Sequence, residues 1–236
     1  MKQEEIITTY GTSAHPASFA MLMKNVYLWM TLGLAMTGLT AFYLAGNLGF
    51  LQTIAETPGL FFGLLIAELA LVWILSANIM RLSFLTAGLL FAAYAILNGV
   101  VFSFIFLAYT ATSIATTFFV TAGTFGAMTV VGYVIKKDLS SMGRFLFMAL
   151  IGLIIATIVN FFVASSVLSW ALTYAGVLIF VGLTAYDTQK IKQMLLAYGH
   201  ETDESVMKLA LMGSLTLYLD FINLFLYLLR IFGDRR

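Results

Sequence analysis

Seven long apolar stretches dominate the pattern of hydrophobic and polar positions along the chain. Each is close to the length of about 20 residues that a helix needs to cross a bilayer. The stretches lie at about 25–46, 59–80, 83–108, 113–135, 145–164, 167–188 and 207–232. This pattern predicts an all-α, multi-pass membrane protein, built as a bundle of seven transmembrane helices.

Residues that favour helix ends lie between several of these stretches. Thr57 before Pro58 is typical of a helix start, Gly46 with Asn47 of a helix stop, and Asp203 of a cap on the last helix. No linker or repeat divides the chain. We therefore expect a single transmembrane domain at 25–232, a cytoplasmic N-terminal tail at 1–24 and a short C-terminal tail at 233–236.

Composition supports a membrane location. Hydrophobic residues make up 61% of the chain, and its mean hydropathy is +1.00, whereas soluble domains are about 45–50% apolar. The formal net charge of +1 offers no basic face for nucleic acid. The expected surroundings are a lipid bilayer, and no nucleic-acid partner is expected.

Lysine and arginine positions predict the orientation in the membrane. They lie before the first stretch and in every second connection, at Lys2, Lys24, Arg81, Lys136, Lys137, Arg144, Lys190, Lys192 and Lys208. The alternate connections carry none, so the positive-inside rule places the N-terminus in the cytoplasm. Arg230, Arg235 and Arg236 oppose this pattern if the last stretch crosses fully. Full crossing is preferred, and a re-entrant last segment with a cytoplasmic C-terminus is the alternative.

The last stretch carries a polar stripe at helical spacing. Small and polar residues follow each other at steps of three or four among Leu, Phe and Ile, at Gly213, Thr216, Asp220, Asn223 and Tyr227. A carboxyl group at this depth normally faces protein or a water-filled cavity. The last helix is therefore predicted to be central, with Asp220 in a pathway or, alternatively, protonated and bonded to a neighbouring helix.

Two further acidic residues belong to apolar stretches. Asp187 ends the sixth stretch, and Arg81 follows the second on the same predicted face of the membrane. These two residues either pair across helices or are separately solvated. Glu68 lies in the middle of the second stretch and is, with Asn223, a candidate for lining a polar pathway.

Enzymatic interpretations find little support in the sequence. The two histidines, His15 and His200, lie in a tail and a loop, and the chain has no cysteine. Two aspartates on successive helices also occur in intramembrane aspartyl proteases, where they act as general acid and base. However, Asp220 follows Leu217-Tyr218-Leu219 rather than the Gly-x-Gly of those enzymes. We expect no enzymatic activity and no cofactor.

Three segments resemble one known family. These are "AYDTQKIKQM" at the end of the sixth stretch, "YLDFINLFLYLLRIFG" in the seventh and "SIATTFFVTAGTFGAM" in the fourth. Together they are similar to the Bax inhibitor-1 (TMBIM) family, whose bacterial members are near this length. The resemblance covers essentially the whole chain from the first stretch onward.

The resemblance implies a Bax inhibitor-1-like fold with a central last helix, in the bacterial cytoplasmic (inner) membrane. It implies a pH-sensitive passive calcium leak channel in which Asp187 and Asp220 act as the pH sensor and as metal ligands. It also implies that Arg81 acts as a latch on Asp187. Some relatives instead modulate a membrane-bound AAA protease, so a regulatory binding protein is the alternative function.

The chemistry of an aspartate pair agrees with a sensor, but the predicted depths of the two residues conflict with it. Two carboxyl groups in contact titrate as a unit, and when both ionise their oxygens suit calcium, the transported ligand. Yet Asp187 ends its predicted helix, whereas Asp220 lies about 18 Å inside the next one. For the two to meet, one helix must extend beyond its apolar stretch.

Overall fold

The computed structural model describes residues 16–198 and 204–236, and these residues form nine helices and no strand. The helices are α1 (Pro16–Ala45), α2 (Leu48–Glu56), α3 (Pro58–Asn78), α4 (Phe84–Ser103), α5 (Ile105–Ala108), α6 (Ala111–Val134), α7 (Ser140–Val163), α8 (Ser166–Tyr198) and α9 (Glu204–Phe232). Seven of them, namely all but α2 and α5, are the cores of segments long and apolar enough to cross a membrane. The predicted all-α, seven-span architecture is confirmed.

Helix α9 is the central helix of the bundle, as the polar stripe predicted. It packs against α1, α4, α6 and α8, and 67% of its most apolar window is buried, against 6–33% for the other six spans. A buried network ties it to two neighbours. The Tyr218 hydroxyl lies 2.7 Å from Thr37 Oγ1 of α1, which donates to the Ala95 carbonyl of α4 at 2.8 Å.

The outer helices are packed less evenly. Helix α3 packs on α4 and α2, while α7 packs extensively on α8 alone among the described helices. Their outward faces carry exposed apolar residues such as Phe161 and Phe162, which suits contact with lipid. The loose packing of α7 leaves space between α7 and α9.

Several helix boundaries differ from the predicted ones. Helix α1 begins at Pro16, nine residues before the predicted start at 25, so the predicted tail at 1–24 is partly helical. Helix α8 runs to Tyr198, ten residues past the predicted end at 188. Apolar runs mark the part of a helix inside hydrocarbon, and a helix continues into water beyond it.

The connection between the first two predicted spans contains a helix that the pattern did not reveal. Asn47 caps α2 by accepting a hydrogen bond from the Phe50 amide at 3.1 Å, and Leu51 and Ile54 are buried. The predicted stop after Ala45 and the start at Pro58 are both observed, although the Thr57 side chain makes no capping bond. The predicted cap Asp203 lies outside the described residues.

The C-terminal tail closes on the connection between α5 and α6. Arg236 donates its amide to the Ala108 carbonyl at 3.1 Å, and Thr110 donates to Asp234 at 3.1 Å. Helix α9 is unbroken over 29 residues, about 43 Å at a rise of 1.5 Å per residue. The C-terminal tail therefore lies at the α5–α6 connection. The length of α9 agrees with the preferred full crossing, and the choice between full crossing and a re-entrant last segment stays a prediction.

Candidate functional site

The length of α8 and α9 resolves the conflict in depth between Asp187 and Asp220. Helix α8 continues for eleven residues beyond Asp187, so Asp187 lies inside the helix rather than at its end. Helix α9 runs antiparallel to it and packs along it closely. This pairing brings the two carboxyl groups together.

The Asp187 and Asp220 side chains lie within hydrogen-bonding reach of each other. Asp220 is 5% exposed, and its Oδ2 atom has no donor among the described residues. Ionised carboxylates only accept hydrogen bonds, so two of them bond to each other only when one holds a proton. A proton shared by this pair would allow such a bond.

A cavity of about 1120 Å³ opens beside the aspartate pair, between α7, α8 and α9. It includes four of the five residues of the predicted polar stripe, namely Thr216, Asp220, Asn223 and Tyr227. The fifth, Gly213, packs instead against Ile191 of α8. The stripe thus lines one wall of this cavity, between the central helix and α7.

Arg81 is not joined to Asp187 in this structure. It lies exposed between α3 and α4, and among residues 16–198 and 204–236 no ion pair links its guanidinium to the Asp187 carboxylate. The cation that interacts electrostatically with Asp187 is Lys190, three residues further along α8. The proposed latch contact is absent here, and the role of Arg81 in gating stays a prediction.

Glu68 lies apart from the aspartate pair. It belongs to α3, does not line the cavity beside α7, and interacts electrostatically with Tyr94 and Tyr218. Its Oε1 atom is buried and has no hydrogen-bond partner in the described part of the chain. The structure therefore joins Asp187, Asp220 and Asn223 in one site and leaves Glu68 and Arg81 outside it.

Gln189 and Lys192, close to Asp187, hold the α6–α7 connection and were missed by sequence reasoning. Gln189 accepts from the Leu139 amide at 2.8 Å and donates to the carbonyls of Lys137 at 2.9 Å and Ile135 at 3.3 Å. Lys192 donates to the Tyr133 carbonyl at 2.8 Å. These contacts fix the segment of α8 that carries Asp187, and a glutamine within a basic segment was the available signal.

The described residues contain no group of three or more His, Cys, Asp or Glu side chains that could hold a metal ion. A calcium ion takes six to eight oxygen ligands, and the aspartate pair supplies at most four carboxylate oxygens. His15 and His200 lie outside the described residues.

Comparison with known proteins gives consistent relatives along nearly the whole chain. Residues 20–236 match the family model described as "Inhibitor of apoptosis-promoting Bax1". The chain is 52% identical to the inner membrane protein YbhL of Escherichia coli over 214 residues, which is 91% of this chain and 92% of YbhL. It is also 47% identical over 213 residues to an uncharacterized protein of Deinococcus radiodurans, covering 90% of each chain. An uncharacterized protein of Rickettsia prowazekii is 43% identical over 233 residues, 98% of this chain and 97% of the relative.

Proposed function

Because the chain belongs to the Bax inhibitor-1 family of membrane proteins, we propose that it is a pH-sensitive passive calcium leak gated by Asp187 and Asp220. The observation that carries this proposal is the contact of the two carboxyl groups beside a large cavity. We further propose a bacterial inner-membrane location with the N-terminus in the cytoplasm, supported by the distribution of lysine and arginine.

In the proposed closed state, Asp187 and Asp220 share a proton. The bond between them ties α8 to the central helix α9. The pair then carries one negative charge instead of two. This state is favoured at low pH, since two carboxyl groups in contact do not both ionise easily. The calcium leak is therefore lowest in acid.

In the proposed open state, both carboxyl groups are ionised. Their repulsion separates α8 from α9, and their oxygens become available to a passing calcium ion. The other ionisable groups that line the same cavity are Arg144, Tyr186, Lys190 and Tyr227. Of these, Lys190 lies three residues after Asp187, a spacing that puts both side chains on one face of α8.

The direct test is calcium influx into liposomes that contain the purified protein and no other protein. The proposal predicts influx that increases from mildly acidic to mildly alkaline pH. A regulator of a membrane-bound AAA protease would produce no influx at any pH by itself. An intramembrane aspartyl protease would instead cleave a transmembrane peptide in the same liposomes, and the cleavage would be lost in Asp220→Asn.

A further inference from the structure

The cavity beside the aspartate pair has a basic mouth and one long apolar wall. Arg144 of α7 and Lys190 of α8 are exposed and line it, and Arg144 donates to the Ser141 hydroxyl at 3.3 Å. Beyond this first turn, α7 contributes mainly apolar side chains, among them Met148, Leu150 and Ile154. This combination is amphipathic, with cations at one end and hydrocarbon along one side.

Charge at the mouth is positive on balance. Asp138 lies near Arg144 and is ionised at neutral pH, because hydrogen bonds from the Ser140 side chain and amide lower its pKa. Lys136 and Lys137 are exposed in the same connection. Asp187 interacts with Lys190 from inside the cavity. The two carboxylates, Asp138 and Asp187, are therefore outnumbered by the four cations at this end.

Two walls of the cavity, on α8 and α9, match one leaflet of a membrane in length, and the third, on α7, is longer. Its lining runs from Lys190 to Phe180 on α8 and from Thr216 to Tyr227 on α9, about 15 Å and 16 Å along the helix axes. On α7 it runs from Ser141 to Ile158, about 25 Å. Half of a hydrocarbon core is about 15 Å thick.

The packing of the bundle leaves this cavity open for a partner that comes from the membrane. Helix α7 packs extensively on α8 but makes no substantial contact with α9 along the described residues. The space between α7 and α9 lies within the spans and is bordered by lipid-facing side chains such as Phe145 and Phe147. An acyl chain can cover the apolar α7 wall without breaking any hydrogen bond.

We propose that this cavity binds one anionic phospholipid, with its phosphate between Arg144 and Lys190 and an acyl chain along the α7 wall. Charge complementarity fixes the headgroup at the basic mouth, because cations near the membrane surface attract anionic lipids. The apolar wall selects a lipid over a soluble anion. The lipid site stands on this geometry alone and does not depend on the calcium leak.

The test is native mass spectrometry of the full-length protein in detergent with phosphatidylglycerol or phosphatidylcholine of identical acyl chains. We expect preferential binding of phosphatidylglycerol, weakened about fivefold by Arg144→Ala or Lys190→Ala. Arg144→Lys and Lys190→Arg should retain binding. Lys24→Ala is the matched control, because Lys24 is exposed on α1, away from the mouth, and does not line the cavity.

A second pair of variants tests whether an acyl chain lies along the α7 wall. Ile154 lines the cavity at 52% exposure, whereas its neighbour Ile155, at 57%, does not. Ile154→Trp should block lipid binding, and Ile155→Trp should leave it unchanged. Equal binding of the two lipids, equal loss in Lys24→Ala, no difference between the tryptophan variants, or displacement of phosphatidylglycerol by millimolar inorganic phosphate would each overturn the proposal.

Discussion

Neighbouring side chains on the turn of α8 that carries Asp187 have different roles. Gln189 is 5% exposed and makes three hydrogen bonds to the connection between α6 and α7. Asp187, two residues earlier, faces the cavity and Asp220. One turn of α8 thus positions a loop with one side chain and forms half of the candidate sensor with another.

Gln189→Ala should destabilise the protein. The change leaves the amide of buried Leu139 without an acceptor, which costs about 1–3 kcal/mol of unfolding free energy. Thermal unfolding in detergent measures the effect. Gln193→Ala on the same helix is the control, because Gln193 is exposed. Equal shifts in both variants would show that the hydrogen bonds of Gln189 do not stabilise the fold.

Arg81 is exposed and unpaired with Asp187 in this structure, so its predicted role as a latch concerns gating rather than the conformation described. If Arg81 latches Asp187 in another state, Arg81→Ala raises the calcium leak at low pH and Arg81→Lys largely retains wild-type behaviour. A solvated Arg81 that merely sets topology would contribute at most about 1 kcal/mol. Identical low-pH influx in wild type and both variants, with equal insertion orientation, would eliminate the latch.

Close approach between helices explains why α8 holds its position against α6. A Cβ atom on Gly132 of α6 would overlap the Ala185 carbonyl oxygen, and that neighbour is backbone and cannot rotate away. Ala185 lies two residues before Asp187. Glycine at 132 therefore sets how closely α6 approaches the part of α8 that carries the aspartate.

Gly132→Ala should separate α6 from α8 and lower stability by about 1–3 kcal/mol, as overpacking does. Gly126→Ala on the same helix is the control, since a Cβ atom added there would meet no other atom within 4 Å among the described residues. That control should be neutral or gain up to about 1 kcal/mol from helix propensity. Thermal unfolding of both variants measures the difference, and a harmless Gly132→Ala would contradict the close contact.

The sequence pattern predicted the helices well in the parts of the chain that cross the membrane, because there the lipid requires long apolar runs. The seven spans, the central α9 and the cavity-lining residues Thr216, Asp220 and Asn223 were all accessible from apolar length and a polar stripe. The extension of α8 to Tyr198 was not, because a helix leaving the membrane loses its apolar signal. That extension is what allows Asp187 to meet Asp220, so the contact could not be derived from the pattern.

Sequence reasoning also could not determine which side chains Arg81 and Glu68 contact, and it overlooked Lys190 as a neighbour of Asp187. Their positions depend on which helices become neighbours, and hydropathy carries no information about that. Glu68 is on the outer helix α3, away from the cavity. Lys190 lies three residues after Asp187, a spacing that puts side chains on one helix face, and this was the signal available for finding it.

The connections at the two ends of the bundle differ in the number of lysine and arginine residues that they carry. The connections α3–α4 and α6–α7 carry Arg81, Lys136 and Lys137, while the C-terminal tail pairs with the opposite connection between α5 and α6. Seven spans therefore place the start of α1 and the end of α9 on opposite faces of the bundle. Arg230 near that end bonds to Ser169 of α8, so it is held by the bundle.

A reporter that is active only outside the cytoplasm should be active when fused after Arg236. The physical reason is that α9 is one unbroken helix long enough to cross, and the positive-inside rule predicts a cytoplasmic N-terminus. The same reporter fused after Arg81 is the control and should be inactive. Activity of the second fusion and silence of the first would reverse the orientation.

If Asp187 and Asp220 titrate as one unit, the loss of either carboxyl group changes the pH profile of calcium influx. The measurement compares wild type, Asp187→Asn, Asp220→Asn and the double variant in liposomes, with Asp138→Asn as an exposed carboxylate outside the cavity. We predict that each single change abolishes most of the pH dependence, that the double variant does no more, and that Asp138→Asn resembles wild type. A wild-type pH profile in Asp187→Asn or Asp220→Asn, or additive effects of the two changes, would contradict the account.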